Sequence, residues 1–256
     1  MTAGLVDVGN GPAVLLLHGT APGTTAAANF ASLLPALRGY RAIAPDLRGF
    51  GASAKPPGLR YGPALWVEQA FSLVDELGVD RVVVVGNSMG ARVALTMATQ
   101  QPERIAGMVL MSPRLHPSQS RAQDLIRAYR PNPMAMAHLL RTCFATDPAT
   151  VTEQMVQDRY RDSATPGAHE ALQVMFAELS TAGPGPSHDL IRGLHIPALV
   201  LAGREDEVVP YTNAVEMAGL LPQSDVHVFG GTGHWFQLER VDAFTALVLD
   251  FLRRLP

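Results

Sequence analysis

Ser88 is the side chain in this sequence that is best placed to act as a nucleophile. It lies in residues 86–90, GNSMG, directly after the valine-rich run 81–85 and directly before a helical pattern that begins at Ala91. Glycines on both sides of a serine are typical of a sharp strand-to-helix turn, which lifts the hydroxyl out of the sheet and tolerates no bulky neighbour. The N-terminus of the following helix directs free N–H groups toward any oxyanion formed there. We therefore interpret Ser88 as a nucleophile.

We predict that the apolar run 198–202 is a strand. A carboxylate that could orient a catalytic base follows this strand. Three acids lie just beyond it, Glu205, Asp206 and Glu207. A carboxylate beyond the C-terminal end of a strand can hold the tautomer of a histidine. We favour Asp206, because it stands four residues before Pro210 and because the shorter aspartate suits a tight turn. Glu205 and Glu207 stay open as alternatives.

The candidate base is His234, which lies in the glycine-rich segment 230–236, GGTGHWF, after the predicted strand 225–229. Small residues allow this loop to lean over the edge of the sheet before the final helix begins. Of the eight histidines, His234 alone follows a strand near the C-terminus in such a loop. Serine, aspartate and histidine thus occur in the chain order of the α/β-hydrolase triad.

Backbone N–H groups after the first strong strand complete the predicted catalytic set. The strand 14–18 ends at His18, and Thr20 follows in a loop that runs toward the same edge of the sheet. The N–H groups of Thr20 and Met89 could converge on an oxyanion, and each such donor is worth about 3 kcal/mol in comparable sites. We expect the His18 side chain to pack, and we expect the segment 46–51, DLRGFG, to form a structural turn.

Short apolar runs alternate with helical patterns, which is typical of a mostly parallel sheet covered by helices on both faces. From about 113 to 188 no strand pattern occurs, and helical segments are separated by prolines. We predict a helical cap at 113–188, inserted into a core formed by 1–112 and 189–256, with four methionines partly facing a pocket. The predicted strands are 14–18, 42–46, 82–86, 108–112, 198–202 and 225–229, and the methionines are Met134, Met136, Met155 and Met175.

Composition limits the classes of function. The chain has 256 residues, 47% of them hydrophobic and 17% charged, and its net charge of −3 offers no attraction for nucleic acid or for an anionic membrane. Cys143 is the single cysteine, which excludes an intrachain disulfide. The N-terminus has no signal-peptide pattern, and no apolar run approaches the roughly 20 residues that span a bilayer. We expect a soluble cytoplasmic protein that acts on a small molecule without metal or cofactor; whether it forms a homo-oligomer is left open.

The motifs together resemble the α/β-hydrolase fold from end to end, and within it the chain is most similar to the meta-cleavage product hydrolases. Those enzymes cleave a C–C bond in 2-hydroxy-6-oxo-dienoates formed during aromatic degradation. The resemblance is carried by HGTAPG at 18–23, DLRGFG at 46–51, GNSMG at 86–90, GREDEVVP at 203–210 and GTGHW at 231–235. It implies a mostly parallel sheet with a helical cap and a serine-centred triad.

The resemblance also implies roles for three residues outside the triad. Arg159 would bind the carboxylate of the dienoate, and Asn87 and Trp235 would line the polar part of the pocket. An arginine fork suits a small carboxylate, and the predicted cap offers no other obvious cationic anchor. The open alternative is that Arg159 is a solvated cap residue beside Arg161 and Asp162.

Three features differ from the family's pattern. Ala91 stands where the family has a second glycine after the nucleophile turn, and it is followed by Arg92. Thr20 replaces a serine or a glycine. The N-terminus is short, which leaves open whether the first hairpin of the sheet is complete.

Three functions stay open from the sequence. The first is a C–C hydrolase, in which the dienoate ketonises and Ser88, or a water activated by His234, attacks the ketone. The second is a carboxylesterase or enol-lactone hydrolase that uses the same triad through an acyl-enzyme. The third is a binding protein of this fold without turnover, against which the complete triad argues.

Overall fold

The computed structural model describes residues 4–116, 120–181, 183 and 185–256. A seven-stranded sheet in the order β1-β3-β2-β4-β5-β6-β7 forms its centre. β1 runs antiparallel to β3, and all other neighbouring strands are parallel. The strands are β1 (Leu5–Val8), β2 (Ala13–Leu17), β3 (Arg41–Pro45), β4 (Val82–Asn87), β5 (Ile105–Met111), β6 (Ala198–Gly203) and β7 (Ser224–Phe229).

All six predicted strands are present, and the predicted fold class is confirmed. The sequence analysis did not predict β1, which pairs Leu5 with Pro45 and Val8 with Ala42 at the edge of the sheet. The short N-terminus therefore supplies one antiparallel strand beside β3. β1 is only four residues long and half exposed, so it carries too little apolar pattern to be recognised from sequence.

Helices cover both faces of the sheet and fill the segment between β5 and β6. Three short 3₁₀ turns lie at Leu34–Ala36, Pro102–Arg104 and Pro148–Thr150. The helices are α1 (Ala26–Asn29), α2 (Pro63–Glu76), α3 (Met89–Gln100), α4 (Arg121–Ala128), α5 (Pro133–Cys143), α6 (Glu153–Ser163), α7 (Ala168–Thr181), α8 (His188–Arg192), α9 (Thr212–Leu220), α10 (Phe236–Glu239) and α11 (Val241–Arg254).

The core consists of two apolar layers, one on each face of the sheet, because successive side chains of a strand point to opposite faces. On one face Leu15 packs in a fully buried cluster with Trp66 of α2. On the other face Leu16 packs with Phe244 and Val248 of α11. Strands covered on both sides need continuous apolar runs, which explains the sequence of β4. The two layers hold the C-terminal ends of the parallel strands at one edge, where the site is built.

The helices α4 to α6 form most of a third apolar cluster above that edge, and Phe176 of α7 packs against it. Among the described residues between β5 and β6, all regular structure is helical. Asn132 begins α5, since its side chain accepts hydrogen bonds from the N–H groups of Met134 and Ala135. The cluster includes Trp235 and Val209 of the core, so these helices pack directly on the sheet edge. The division into core and cap at 113–188 stays a prediction.

The end of that predicted cap falls at the beginning of α8. Ile191 of α8 belongs to the apolar layer that contains Leu15, and α8 contacts α3 and α9. α8 is therefore packed with a sheet layer, the same layer that contains the buried side chains Ala171, Leu172 and Met175 of α7. No helix of the described residues is long and apolar enough to cross a membrane.

Candidate active site

Ser88 lies at the tight turn between β4 and α3, and its backbone is strained. Its φ of 54° and ψ of −109° fall in a region that side chains other than glycine rarely adopt. A Cβ atom at Gly86 would overlap the Gly90 carbonyl, and a Cβ at Gly90 would overlap the Leu17 carbonyl of β2. Both glycines are thus required by the close approach of backbone to backbone. The Ser88 N–H donates to Met111 O of β5 at 2.7 Å, which fixes the turn to the sheet.

Asp206 and His234 meet beyond the ends of β6 and β7. His234 Nδ1 lies 2.7 Å from Asp206 Oδ2, and both side chains are buried. The same carboxylate accepts hydrogen bonds from the Ser112 hydroxyl at 2.9 Å and from the N–H groups of Val208 and Val209 at 2.8 and 2.9 Å. A carboxylate held in this way fixes the imidazole ring and places its proton on Nδ1, so that Nε2 can accept a proton.

The two competing acids lie elsewhere. Glu205 and Glu207 are both exposed, and Glu205 Oε2 accepts a hydrogen bond from the Thr232 N–H at 3.0 Å. β6 and the histidine loop are in close contact, since a Cβ atom at Gly203 would overlap the Gly233 carbonyl. Of the three acids, the geometry brings only Asp206 to His234.

Glu239 of α10 holds the histidine loop against the helical segment above it. Its carboxylate accepts the N–H of Gly233 at 2.7 Å, and also the N–H groups of Thr146 and Asp147 at 2.7 and 2.9 Å. The N–H of Trp235 donates to Phe144 O at 2.8 Å. The residues on both sides of His234 are thus tied to the segment after α5. Sequence reasoning missed Glu239, because a glutamate early in a helix has many other uses.

The loop that carries Thr20 is held by buried hydrogen bonds. His18 Nε2 accepts the Leu47 N–H at 2.9 Å, and Nδ1 lies 2.8 Å from Gly19 O. These contacts fit a neutral ring that is protonated on Nδ1. Burial lowers the pKa of His18 to about 4, against a weaker opposing effect of Asp46. His18 therefore packs, as predicted from the sequence.

The N–H groups of Thr20 and Met89 lie on residues that flank the nucleophile. A Cβ atom at Gly19 would be 3.2 Å from Ser88 Cβ, which shows how closely this loop approaches the turn. Gly19 N–H donates to Asn29 Oδ1 at 3.1 Å. Met89 is the first residue of α3, so its N–H has no acceptor within the helix. The role of both N–H groups as donors to an oxyanion formed at Ser88 stays a prediction.

A cavity of about 310 Å³ lies between the sheet edge and the helices above it. It contains every residue predicted for the site except the buried Asp206 and the Met89 side chain. The expectation that four methionines face it was wrong for three of them, because Met134 is 82% exposed and Met136 and Met175 are buried in apolar clusters. The lining includes Thr20, Asn29, Asn87, Ser88, Ile126, Phe144, Met155, Arg159, Val208, His234, Trp235 and Gln237.

Arg159 is a buried cation of the cavity wall rather than a solvated residue. It is 7% exposed, and its guanidinium lies 5.0 Å from the ring centre of Trp235. It donates to the Thr24 hydroxyl at 2.7 Å, and its Nε has no hydrogen-bond partner. Burial lowers the pKa of Arg159 to about 10, partly offset by the charge of Asp162. A buried cation without a directly bound carboxylate is expensive unless a ligand supplies the anion.

Three further buried side chains of the lining have polar atoms without a partner. They are Asn29 Nδ2, Asn87 Nδ2 and Gln237 Oε1. Buried polar atoms are rarely left unpaired in native proteins, so atoms of this kind in one cavity indicate contacts that a ligand completes. Sequence reasoning identified Asn87 but missed Asn29 and Gln237. The only signal for Gln237 was its spacing of three residues from His234.

Comparison with known proteins gives the family. A profile described as the alpha/beta hydrolase fold matches residues 12–182 and 160–241. The chain is 36% identical over 253 residues to a 2-hydroxymuconate semialdehyde hydrolase of Pseudomonas sp. strain CF600, covering 97% of this chain and 89% of that protein. It is 37% identical over 253 residues to a 2-hydroxy-6-oxo-2,4-heptadienoate hydrolase of Pseudomonas putida strain F1, covering 97% and 91%.

Solved structures agree with that result. A meta-cleavage product hydrolase from Pseudomonas fluorescens IP01, a mutant complexed with acetates, superimposes with a TM-score of 0.92 at 34% identity, covering 98% of this chain and 96% of that one. The chain belongs to the α/β-hydrolase family, among the meta-cleavage product hydrolases. The resemblance inferred from the motifs is confirmed.

Proposed function

We propose that this chain hydrolyses the C–C bond next to the ketone of a 2-hydroxy-6-oxo-dienoate. The observation that carries the proposal is Arg159, a buried cation without a bound carboxylate in the same cavity as Ser88. A dienoate supplies both the missing anion and the ketone that a nucleophile at Ser88 attacks. The names of the relatives from the two Pseudomonas strains support the same class of substrate.

Arg159 and Asn87 bind the carboxylate in this proposal. A guanidinium can form paired, charge-assisted hydrogen bonds with a carboxylate, and these are about twice as strong as neutral ones. Trp235 lies against the guanidinium and limits its orientation. Binding at one end of the dienoate then fixes the distance of the ketone from Ser88, which supplies the proximity that catalysis needs.

The chemistry begins with ketonisation, in which the proton of the 2-hydroxyl leaves oxygen and a proton is added at C5. The ketone oxygen at C6 accepts hydrogen bonds from the N–H groups of Thr20 and Met89, which stabilise the charge that develops during attack. Ser88 attacks C6 while His234 takes its proton, or His234 activates a water that attacks directly. The C5–C6 bond then breaks, and its electron pair is delocalised into the 2-oxo group. His234 returns the proton to the oxygen at C2, and the 2-hydroxydienoate leaves. On the Ser88 route a water activated by His234 then attacks the acyl-enzyme, the ester bond to Ser88 breaks, and Ser88 regains its proton as the carboxylic acid is released; on the water route the acid is released directly.

We also propose that residues 113–188 act as a cap that shapes the cavity. Ile126, Phe144, Met155 and Arg159 come from this segment and line the same cavity as Ser88. Because loops and helices above a rigid sheet can vary without loss of the triad, this segment contributes to substrate choice.

The test compares a charged and an uncharged substrate in the Arg159→Gln variant. Loss of the paired hydrogen bonds should cost about 2–4 kcal/mol, so kcat/KM for the dienoate should fall by about 30-fold to 1000-fold. Hydrolysis of a short nitrophenyl ester should change by no more than a few fold, since the ester offers the guanidinium nothing to bind.

Arg161→Gln is the matched control. The Arg161 side chain is two-thirds exposed and pairs with Asp158, so its loss should have little effect on either substrate. Equal losses on dienoate and ester in Arg159→Gln would make Arg159 a structural residue. If the unmodified protein cleaves the ester but no dienoate, the carboxylesterase or lactonase function replaces the proposal.

A further inference from the structure

Gln237 is a buried side chain of the cavity wall that the reaction described above does not use. It is the second residue of α10, three residues after His234, and it is 1% exposed. Its Oε1 has no hydrogen-bond partner, and the side chain lines the cavity that contains Ser88. An amide buried without a partner costs about 1–3 kcal/mol. A residue at this position that only filled space would be less costly as leucine or methionine.

The unpaired polar atoms of the cavity differ in what they offer a ligand. Arg159 Nε and Asn87 Nδ2 are donors, and both can bind a carboxylate. The amide of Asn29 is fixed in orientation, because its Oδ1 accepts the Gly19 N–H at 3.1 Å, and its free atom is therefore the donor Nδ2. Gln237 Oε1 is the acceptor in this set, so a ligand group that carries a hydrogen is needed to satisfy it.

We propose that Gln237 is a specificity-determining residue that accepts a hydrogen bond from the 2-hydroxyl of the substrate. This inference rests on the proposed function, in which the substrate is a 2-hydroxy-6-oxo-dienoate. The carboxylate of such a molecule matches the donors, and the adjacent hydroxyl matches the acceptor. A carboxylate with a methylene in place of the hydroxyl leaves Gln237 unpaired in either orientation of its amide, and the enzyme discriminates against it for that reason.

A glutamine also fits the change that the 2-oxygen undergoes. When the substrate ketonises, the 2-hydroxyl becomes a carbonyl, which accepts hydrogen bonds and no longer donates. The terminal torsion of a glutamine is roughly two-fold, so rotation of the amide by about 180° exchanges Oε1 for the Nε2 donor. One side chain thus binds the enol before proton transfer and the ketone after it.

The experiment measures competitive inhibition by two saturated acids that cannot be cleaved, 2-hydroxy-6-oxoheptanoate and 6-oxoheptanoate. They differ only in the 2-hydroxyl. The unmodified protein should bind the hydroxy acid about 10-fold more tightly, which corresponds to a hydrogen bond of about 1.4 kcal/mol. Gln237→Met should abolish that preference while the inhibition constant of 6-oxoheptanoate changes by less than about 3-fold.

Gln173→Met is the matched control. Gln173 of α7 also has a buried amide nitrogen without a partner, but it does not line the cavity. This variant should keep the preference for the hydroxy acid. Nitrophenyl ester hydrolysis by both variants reports whether the triad is intact.

Two results would overturn the inference. Gln237→Met could retain the preference for the hydroxy acid, or it could weaken both inhibitors and ester hydrolysis by the same factor, as a purely structural residue would. Failure of the proposed function would be visible separately, because the unmodified protein would then cleave no dienoate and Arg159→Gln would not weaken 6-oxoheptanoate.

Discussion

Two groups of buried polar side chains lie within the same site. Side chains of the first group are hydrogen-bonded within the protein, and side chains of the second group keep polar atoms without a partner. Around the triad, Asp206 accepts four hydrogen bonds and His18 uses both ring nitrogens. In the cavity wall, Asn29, Arg159 and Gln237 each keep an atom without a partner. Under the proposed function, the polar atoms that orient the chemistry are satisfied by the protein, whereas the unpaired atoms are left for the ligand.

The hydrogen-bonded group suits the positioning of catalytic side chains, and the group with unpaired atoms suits the binding of a ligand. A satisfied network holds its members in one geometry, and that precision suits groups that must move a proton. An unpaired buried polar atom lowers the stability of the protein without ligand. It also makes binding selective, because a ligand that lacks the matching group leaves the atom unpaired and binds more weakly. Variants of the two groups should therefore fail in different ways.

The largest effect is expected for Ser88→Ala. The alanine retains the backbone of the turn, so the variant should fold normally while kcat falls roughly 10³-fold or more on dienoate and ester alike. Steady-state kinetics and a thermal melt measure both quantities. Retention of most activity in a pure sample would remove Ser88 from the mechanism and leave the water route.

Asp206→Asn should be the next most damaging change. The amide cannot hold the Nδ1–H tautomer of His234, and the loss in kcat should be about 10²-fold to 10³-fold on both substrates. Glu205→Gln is the control, since Glu205 is exposed and its carboxylate accepts the Thr232 N–H instead of contacting His234. A severe loss in Glu205→Gln with a mild one in Asp206→Asn would show that the triad acid is misplaced.

His18 predicts a dependence of stability on pH. Its folded-state pKa of about 4 lies below the ordinary 6.5 because the ring is buried. The unfolded chain therefore takes up the proton first as pH falls. This contribution to the free energy of unfolding is present above pH 6.5 and decreases by about 3 kcal/mol toward pH 4. Urea titrations across that window measure it.

His18→Gln tests whether the ring is the source of that dependence. This variant should be less stable at neutral pH, yet its stability should fall less steeply between pH 6.5 and 4. An unchanged slope would assign the acid sensitivity to other groups.

The smallest effect expected among these variants is that of Glu239→Gln. One of its three N–H partners would face an NH₂ group, and the free energy of unfolding should fall by about 1–3 kcal/mol. Because the same bonds hold Gly233 beside His234, kcat should fall several fold on both substrates. Glu216→Gln, which removes an exposed pair with His116, should leave both quantities nearly unchanged.

Motifs with strong local constraints made much of the molecule predictable from sequence. The glycines around Ser88 and the valines of β4 indicated the turn and the strand, because backbone crowding and two-sided burial restrict which residues fit. By contrast, β1 is short and half exposed, so its pairing with β3 depends on tertiary contacts that no local pattern records.

Side-chain orientation was the part that sequence could not supply. Met134 and Met155 lie on α5 and α6, and only the packing of those helices decides that Met155 lines the cavity while Met134 is exposed. Asn29 and Gln237 are ordinary amides in sequence. They become informative only when the fold buries them in one cavity and leaves an atom of each unpaired.

The most direct test is a crystal structure of the unmodified protein with 2-hydroxy-6-oxoheptanoate. We expect a carboxylate oxygen within roughly 2.7–3.2 Å of Arg159, the hydroxyl at a similar distance from Gln237 Oε1, and the ketone beside Ser88. A ligand bound with its carboxylate away from Arg159, or with Gln237 and Arg159 still unpaired, would contradict the claim that these atoms are left for the substrate.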